Sequence, residues 1–479
     1  MSKSSIKAEA MPELVQNLLR LVEAHRRAFR QERSYVRSLF LLVAEVMVFA
    51  RHTVTQGLMA LGMTESDWSG WYRLFSQRRF DEEVLNGCLL RETLQHVPAE
   101  DVYVVGTDGT QIARSSHKMP GTSWLKAPRT PPFRVGIHRA QQFVHLAWLT
   151  PMVEGFSRAI PLRFLPAFPP KAVAAEAAPC TEWAASLAAV RWVRTQLDEV
   201  GRSAQWVLLL ADGRYDTLGF WKGLPQRVVA AVRTSRHRVL YELPPAGSHK
   251  NRKYGAEAPK PAEWLQVRDG WHKVEVVVRG HLRSMRYRVE GPYRRQGAAQ
   301  QPLFLLVVKG ESYKKGKRQP KLKHRKPAFY LVSAVYQEGA WCLPLPVLEL
   351  LAWLWQRWEL EVAHREMKSG FGVGEKQCWS KRSAIVSVQW SVWVYAVLLL
   401  AGYRTWGLCA APVTKTAWWP RPGGSRRRWS FNTLWRNYRA ALWGSRHFQA
   451  LYTRSSADWP AKKQILLGLD NAILGAARA

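Results

Sequence analysis

Apolar residues recur at helical spacing through the first hundred residues. Residues 11–30 and 34–50 show this spacing, and residues 53–68 combine a short helix, a glycine turn, a Ser/Thr/Asp cap and a second helix. That order is typical of a helix-turn-helix, although any small helical bundle can produce it. The pattern predicts a helical domain over residues 1–98. Its basic side chains either contact phosphates or only solvate helix surfaces: Arg51, Arg73, Arg78 and Arg79.

Beyond Asp101 the pattern changes to short apolar runs that alternate with helical segments. Strands are predicted over residues 102–107, 143–149, 205–211 and 227–232, and a helix over residues 181–200 begins with Thr181 as its N-cap. Such alternation predicts a mixed α/β sheet. Residues 115–139 hold five Lys or Arg, four prolines and two glycines, which predicts a loop or ribbon.

Two aspartates follow predicted strands. Asp108 comes after Val-Tyr-Val-Val-Gly-Thr and Asp212 after Trp-Val-Leu-Leu-Leu-Ala, and a glycine follows each of them. An Asp-Gly turn would explain either aspartate alone. A third acid, Glu361, lies on a helix predicted over residues 346–369. The same helix face carries three cations, because Arg357, Glu361, Arg365 and Lys368 follow one another at steps of four, four and three.

The order of these acids along the chain predicts a metal site. The helix face alone would be typical of exposed ion pairs. A strand with an acid, a second strand with an acid and then a helix with a glutamate is the arrangement in which three carboxylates converge on divalent metal for phosphoryl transfer. Two hard cations need oxygen ligands from several carboxylates, so Asp108 is predicted to bind both ions, with Asp212 and Glu361 binding one each.

The segment between Asp212 and Glu361 spans 148 residues, which predicts an insertion. Runs of alternating or β-branched residues occur at 273–279, 283–290 and 302–308, separated by glycines, and predict an inserted antiparallel β-subdomain. Residues 309–326 then hold nine Lys or Arg and one acid, with Gly310, Gly316 and Pro320 among them. This composition predicts a flexible segment that contacts phosphates.

The spacing on the glutamate helix resembles that of DDE transposases of bacterial insertion sequences, in the broad insertion-sequence 4 group and closest to its 701-type relatives. That family carries tyrosine, two residues, arginine, three residues, glutamate, six residues and lysine. Arg357, Glu361 and Lys368 fit this signature, and Leu354 stands where the tyrosine is expected. The resemblance also includes Thr-Asp-Gly at Asp108 and Ala-Asp-Gly at Asp212, and it covers roughly residues 35 to 405.

The resemblance implies a ribonuclease H-like core, two Mg²⁺ or Mn²⁺ ions per active site and a homodimer that brings two DNA ends together. It also implies phosphate contacts by Arg357, Arg365 and Lys368. In such enzymes the insertion supplies a tryptophan on which a flipped base stacks, so Trp264 and Trp271 are candidates, with ordinary packing as the alternative.

Charge supports a nucleic-acid partner. The chain has 71 Lys and Arg against 36 Asp and Glu, a net charge of +35 and a pI near 10.4. Such a surplus destabilises a compact chain unless a polyanion neutralises it. A hydrophobic content of 47% argues against global disorder. Further predicted DNA contacts come from the basic segments and the glutamate helix: Lys314, Lys315, His364, Arg426, Arg427 and Arg428. For His364, packing within the protein is the alternative.

The C-terminal region interleaves aromatic and basic residues. From residue 415 to 443 it has five tryptophans and one tyrosine among seven Lys or Arg. Aromatics beside cations can stack bases and neutralise phosphates, or they can anchor a helix on the core. The arginine triplet 426–428 follows Pro-Gly-Gly, so we expect it to be exposed. The last helix, predicted over 461–477, closes this domain or contacts a second subunit.

The cysteine content and the hydropathy of the chain predict its cellular compartment. Five cysteines without a Cys-x-x-Cys pair predict reduced thiols and no zinc finger. The N-terminal residues have no apolar run typical of a signal peptide. Residues 384–403 could span a bilayer by length, but polar residues within them and their place after the glutamate helix favour a buried core helix. We expect a cytoplasmic, nucleoid-associated protein without membrane contact.

The expected organisation is an α/β ribonuclease H-like core flanked by two DNA-binding or dimerisation regions. Its segments are a helical domain at 1–98, the core at 99–250 and 327–410, the β-rich insertion at 251–326 and a basic C-terminal domain at 411–479. The expected function is cut-and-paste transposition of DNA with terminal inverted repeats. Two alternatives stay open: a structure-selective nuclease such as a junction resolvase, and a non-catalytic DNA-binding regulator.

Overall fold

The computed structural model of the chain describes residues 11–48, 51–61, 63, 67–127, 136–245, 247–249, 251–315, 321–409 and 428–443. One main hydrophobic cluster runs through these residues, from Leu14 near the N-terminus to Tyr438 near the C-terminus. The predicted C-terminal helix over 461–477 lies outside the described residues.

Five helices come first along the chain. They are α1 (Glu13–Ala24), α2 (Glu32–Met47), α3 (Val54–Ala60), α4 (Ser69–Ser76) and α5 (Glu82–Leu94). The Thr53 side chain caps α3 by accepting a hydrogen bond from the backbone N–H of Gln56 at 3.1 Å. Helix α3 lies within residues 53–68, where the helix-turn-helix is predicted, and α4 begins just after them. Gly62 and residues 64–66 between the two helices are outside the described residues.

The N-terminal helices share their core with the rest of the chain. His25 packs edge-on against Trp393, with ring centroids 5.5 Å apart. Glu45 of α2 forms an ion pair with Lys376, and both side chains are buried. Because an unpaired buried charge is strongly unfavourable, this pair joins the two regions firmly.

The next part of the chain contributes strands to a large central sheet. Its elements are β1 (Tyr103–Ala113), β2 (Thr122–Lys126), β3 (Ile137–Leu149), β4 (Ala159–Pro166), α6 (Glu182–Glu199), β5 (Val207–Ala211), α7 (Leu218–Gly223), β6 (Val228–Arg233) and β7 (Leu240–Glu242). The remaining elements are β8 (His272–Val278), β9 (His281–Arg295), β10 (Ala298–Val308), β11 (Glu311–Lys315), β12 (Lys321–Arg325), β13 (Ala328–Ser333), β14 (Val335–Gln337), β15 (Ala340–Cys342), α8 (Val347–Gln356), α9 (Trp358–Arg365), α10 (Ser383–Trp406) and α11 (Phe431–Trp443).

The central sheet has eleven strands, in the order β2-β3-β1-β5-β6-β13-β10-β9-β7, with β4 paired to β3 and β8 paired to β9. Strand β5 pairs in parallel with β1 and β6, and the other pairings are antiparallel. Helices pack on this mixed sheet, so the chain has an α/β fold. A large central mixed sheet of this kind fits a ribonuclease H-like core.

The predicted β-subdomain is antiparallel but is not a separate sheet. Strand β10 pairs with β9 on one side and with β13 on the other, and β13 in turn pairs with β6 of the core. Residues 303–307 form an uninterrupted apolar run and are all buried. Such a run indicates a strand that is covered on both faces, which is why the insertion extends the central sheet.

The basic segment 309–326 contains regular structure, against expectation. Strands β11 and β12 form an antiparallel hairpin in which Glu311 is opposite Arg325. Gly310 precedes the hairpin, and residues 316–320, between its two strands, lie outside the described residues. Lys314 and Lys315 lie on β11.

The predicted helix over 346–369 forms three successive helical segments. Helix α8 ends at Gln356, α9 begins at Trp358, and a π-helical turn, Glu366–Gly370, follows. Wider turns of this kind occur frequently at functional sites. The next helix, α10, is long and apolar enough to cross a membrane, but 94% of its most apolar window is buried within the protein. It is therefore the core helix that the sequence predicts.

Candidate active site

Asp108 lies in the interior of β1, not at its end. The strand continues to Ala113 because residues 105–113 pair with β3, and His145 is the direct cross-strand neighbour of Asp108. The Asp108 side chain is 15% exposed, and its Oδ1 accepts a hydrogen bond from the backbone N–H of Gly109 at 2.9 Å.

Asp212 follows β5 directly and lies beside Asp108. In the parallel register Gly106 is opposite Leu210, so the two aspartates are both two residues beyond this pair. The Asp212 side chain caps a short 3₁₀ turn, Gly213–Tyr215, by accepting a hydrogen bond from the backbone N–H of Arg214 at 2.9 Å. Neighbouring parallel strands thus place the two carboxylates side by side.

Glu361 reaches the site from α9, which packs closely on β1. A Cβ atom placed on Gly106 would lie 2.8 Å from Cδ1 of Leu360, so the helix occupies space that only glycine leaves free. The Glu361 side chain is 35% exposed and accepts a hydrogen bond from Nη2 of Arg357 at 2.7 Å. Nη1 of Arg357 lies 3.7 Å from Oδ2 of Asp108, so one guanidinium bridges two acids from different elements.

Gly106→Ala should therefore disturb the contact between α9 and β1. Forcing an extra methyl into a packed core typically costs about 1–3 kcal/mol, and we expect the free energy of unfolding to fall by that amount. Urea denaturation measures it. Combining Gly106→Ala with Leu360→Val, which shortens the opposing side chain, should recover part of the loss. If Gly106→Ala unfolds with the same free energy as the wild type, the contact between α9 and β1 is not tight.

The electrostatics of the site show an excess of negative charge. The pKa of Asp108 is raised to about 7, first by burial and then by the charges of Asp212 and Glu361, while Arg357 and the Gly109 N–H lower it. Burial disfavours the charged form of Arg357, but the Asp108 charge and the Glu361 hydrogen bond outweigh it and raise the pKa of Arg357. A cation at this site would relieve the repulsion among the acids.

The donor set suits a hard divalent cation, because all three groups are carboxylates. Among the residues that the structure describes, no three His, Cys, Asp or Glu side chains are close enough to hold a metal ion as they stand. Arg357 bridges two of the acids instead. Metal binding therefore requires the Arg357 or Glu361 side chain to move, and the partial exposure of Glu361 leaves room for such a movement.

The other glutamates of this helix have different partners. Glu359 is 3% exposed and forms ion pairs with Arg279 and Arg428. Glu366 pairs with Arg158 at 3.2 Å and accepts a hydrogen bond from the Tyr395 hydroxyl. These ion pairs hold the helix against the rest of the protein, whereas Glu361 faces the aspartates. The spacing argument that selects Glu361 is consistent with this geometry.

The predicted DNA-binding residues of the helix differ in their exposure to solvent. Arg365 is exposed, and Lys368 is half-buried, with its Nζ 3.3 Å from the carbonyl oxygen of Gln111 on β1. His364 is only 8% exposed, and its Nε2 lies 3.1 Å from Nδ1 of His145. Burial lowers the pKa of both histidines. His364 therefore packs α9 against β3, which agrees with the packing alternative for this residue, while its DNA contact stays a prediction.

Trp271 and Trp264 are engaged by cations of the same chain. The Arg288 guanidinium lies 4.3 Å from the Trp264 ring centroid and 5.5 Å from that of Trp271, and Nζ of Lys309 lies 4.9 Å from the latter. Nε1 of Trp271 also donates a hydrogen bond to the carbonyl oxygen of Val267 at 2.8 Å. These contacts show packing, while base stacking stays a prediction.

The described part of the C-terminal region packs on the core. Trp429, Trp435 and Tyr438 are buried, which agrees with the anchoring alternative for these aromatics. Arg428 donates hydrogen bonds to Glu359 and to the carbonyl oxygen of Ser157, so the expectation that the triplet is exposed is wrong at this residue. Arg426 and Arg427 lie outside the described residues.

Comparison with known proteins agrees with this geometry. A family model described as DDE superfamily endonuclease matches residues 21–290, which is more than half of the chain and includes both aspartates but ends before Glu361. No curated protein matches the chain. Two acids on adjacent parallel strands, within a mixed sheet that fits the ribonuclease H-like core, lie inside the matched region. The chain therefore belongs to the DDE superfamily of endonucleases.

Proposed function

We propose that this protein is a DNA transposase that cuts DNA at the terminal inverted repeats of its element and joins the freed 3′-hydroxyls to target DNA. The observation that carries the proposal is the convergence of Asp108, Asp212 and Glu361. They come from two parallel strands and a helix, and the charges of the other two raise the pKa of Asp108. Such a surplus of negative charge on partly buried side chains is typical of a site that binds cations.

Two divalent cations, when bound, would activate the attacking oxygen and neutralise the leaving oxygen of a phosphodiester. Mg²⁺ and Mn²⁺ both suit carboxylate ligands. Asp108 faces both of the other acids and would contribute to both cations. Because the cations and DNA supply the reacting groups, the protein needs no nucleophile of its own and acts by positioning and by charge.

Basic residues around the site support DNA as the substrate. Arg357 lies between Asp108 and Glu361. Arg365 at the end of α9 and Lys368 in the π-helical turn follow it along the chain. Once cations neutralise the acids, the Arg357 guanidinium becomes available for a phosphate, which it can bind through two parallel hydrogen bonds. The net charge of +35 supplies the wider attraction to a polyanion. Transposition joins two ends to one target, so we also infer a homodimer in the DNA complex.

Cleavage of a labelled duplex tests this function. The duplex carries the inverted repeat that flanks the coding sequence, and the reaction is run with Mg²⁺, with Mn²⁺ and with a chelator. We expect metal-dependent cuts at the repeat boundary and, later, joined products. A duplex with a scrambled repeat is the substrate control. Glu349→Gln is the protein control, because Glu349 lies on α8 and accepts a hydrogen bond from Trp353.

Other outcomes would favour the other functions. Cutting of branched DNA that ignores the repeat would identify a structure-selective nuclease. Tight binding of the repeat without cutting under any metal condition would indicate a DNA-binding regulator. Either result would contradict transposition.

A further inference from the structure

The hairpin of β2 and β3 presents aromatic, aliphatic and basic side chains to solvent. In its antiparallel register Trp124 is opposite Arg139, and Lys126 is opposite Ile137. Directly opposite residues share a face of a sheet, as do residues two apart on one strand, so these four side chains form a square on one face. Trp124 and Ile137 are 49% and 63% exposed, and Lys126 is exposed as well. We refer to this square of four residues as the β2–β3 face.

The β2–β3 face lies on the same side of the central sheet as Asp108. Asp108 is opposite His145 on β3, whose ring contacts His364 of α9. Arg139 precedes His145 by six residues on the same strand, and an even separation keeps both side chains on one face. At about 3.3 Å per residue the two residues are about 20 Å apart, which corresponds to about six nucleotides of a DNA strand.

Contacts within the hairpin hold the indole and the guanidinium in place. The His117 ring packs edge-on against Trp124, with ring centroids 5.8 Å apart. Arg139 donates hydrogen bonds from Nε to Oγ1 of Thr122 at 3.0 Å and from Nη2 to the carbonyl oxygen of His117 at 2.6 Å. Both acceptors are neutral oxygens, so these contacts leave the positive charge of Arg139 uncompensated. The face therefore offers a fixed aromatic ring beside a fixed cation.

A DNA strand with unpaired bases fits this face better than a protein surface does. Unpaired bases stack on exposed aromatic rings, and neighbouring cations attract the phosphates between them. Bases inside a duplex are already stacked on their neighbours, so the Trp124 ring favours an unpaired strand. A second copy of this chain would bring another net charge of +35 to a face that already carries Lys126 and Arg139, and like charges oppose such a contact.

We propose that the β2–β3 face binds an unpaired DNA strand near the active site, with one base stacked on Trp124 and phosphates beside Lys126 and Arg139. The inference rests on the proposed function for its ligand, DNA, and adds a contact surface at a distance from the three acids. These residues contact the strand and take no part in the chemistry.

Fluorescence anisotropy tests the inference. A labelled oligothymidylate of about twenty nucleotides, longer than a typical single-strand site, is titrated with the full-length protein in the presence of a chelator. Trp124→Ala should weaken binding by about 5- to 100-fold, the loss typical when one base–aromatic stack is removed. Trp124→Phe keeps an aromatic ring and should retain most of the affinity. Lys126→Gln should lower the slope of the logarithm of affinity against the logarithm of salt concentration by about 0.7.

Two controls accompany these variants. Tyr336→Ala should bind the oligonucleotide like the wild type, because Tyr336 is 61% exposed but lies on β14, in a separate two-stranded sheet. A fully paired duplex of the same length should lose little affinity in Trp124→Ala, because its bases are not free to stack on the ring. Retained duplex binding also shows that this variant is folded.

Three results would overturn the inference. Equal affinity of Trp124→Ala and the wild type for the oligonucleotide would mean that no base stacks on this ring. Equal losses for the oligonucleotide and the duplex would mean that the face does not distinguish unpaired bases. A change in self-association by sedimentation velocity, without loss of oligonucleotide affinity, would make the face a contact between subunits. In each case wild-type cleavage of the repeat duplex stands, whereas a wild type that binds neither DNA would contradict the proposed function itself.

Discussion

Asp108→Asn, Asp212→Asn and Glu361→Gln should each abolish cleavage of the repeat-bearing duplex, with losses of at least about 10³-fold. Each change replaces a carboxylate with an amide of nearly the same shape, so the fold should be kept while the charge that attracts cations is lost. Single-turnover cleavage with Mg²⁺ measures the loss.

Binding of DNA provides the control for these three variants. Their affinity for the duplex in the presence of a chelator should equal or exceed that of the wild type, because a negative charge near the phosphates is removed. Non-additivity is a further test. The double variant Asp108→Asn/Glu361→Gln should be no slower than the slower single variant, since the acids act as a unit. Substantial cleavage by any single variant would exclude its acid from the reaction.

Without metal, Asp108→Asn should gain stability relative to the wild type as the pH rises from about 4 to about 7. The pKa of Asp108 is raised to about 7 from an ordinary value of 3.8, so in this range the folded state binds a proton that the unfolded state has released. The contribution of Asp108 to the free energy of unfolding then decreases with pH until Asp108 is ionised in both states, whereas the buried His145 and His364 contribute with the opposite sign in both proteins. The contribution is a few kcal/mol, since one pKa unit corresponds to about 1.4 kcal/mol.

Urea denaturation across this pH range, with and without Asp108→Asn, measures this contribution. The variant should be more stable than the wild type at pH 8, and this difference in stability should shrink towards pH 4. Mn²⁺ should stabilise the wild type more at pH 7 than at pH 4, because cations compete with protons for the same oxygens. A variant that is less stable at pH 8 would contradict the account, because Asp108 would then be a stabilising partner of Arg357.

The sequence predicts the acids of the site because their surroundings are local. Five apolar residues deliver Asp212 to the end of β5, and the spacing from Arg357 selects Glu361. Local reasoning of this kind does not predict that Asp108 lies in the interior of its strand. Its strand extends to Ala113 only because β3 pairs with it, and β3 lies more than twenty residues further along the chain.

Long-range pairing also explains the errors in the insertion. The glycines around 270–297 indicate turns correctly, but nothing local shows that β10 will pair with β13. The uninterrupted apolar run at 303–307 is the available signal, since a strand with one face in water would alternate. For the basic hairpin, a composition rich in Lys and Arg is typical of an exposed flexible segment, and nothing local shows that β11 will pair with β12.

Trp124 and His364 show what a sequence alone cannot resolve. Trp124 and Arg139 are fifteen residues apart, and only the pairing of β2 with β3 places them side by side. His364 lies one helical turn from Glu361, which suggests DNA contact, but its direction is set by His145 on a strand more than two hundred residues away. In both cases the decisive neighbour is distant in the chain.

Anomalous diffraction from crystals of the protein bound to its repeat DNA in Mn²⁺ tests the central claim most directly. The account predicts two manganese peaks that contact the carboxylates of Asp108, Asp212 and Glu361, with Arg357 moved from the acids to a DNA phosphate. Manganese peaks elsewhere, or none beside these acids while DNA is bound, would contradict it.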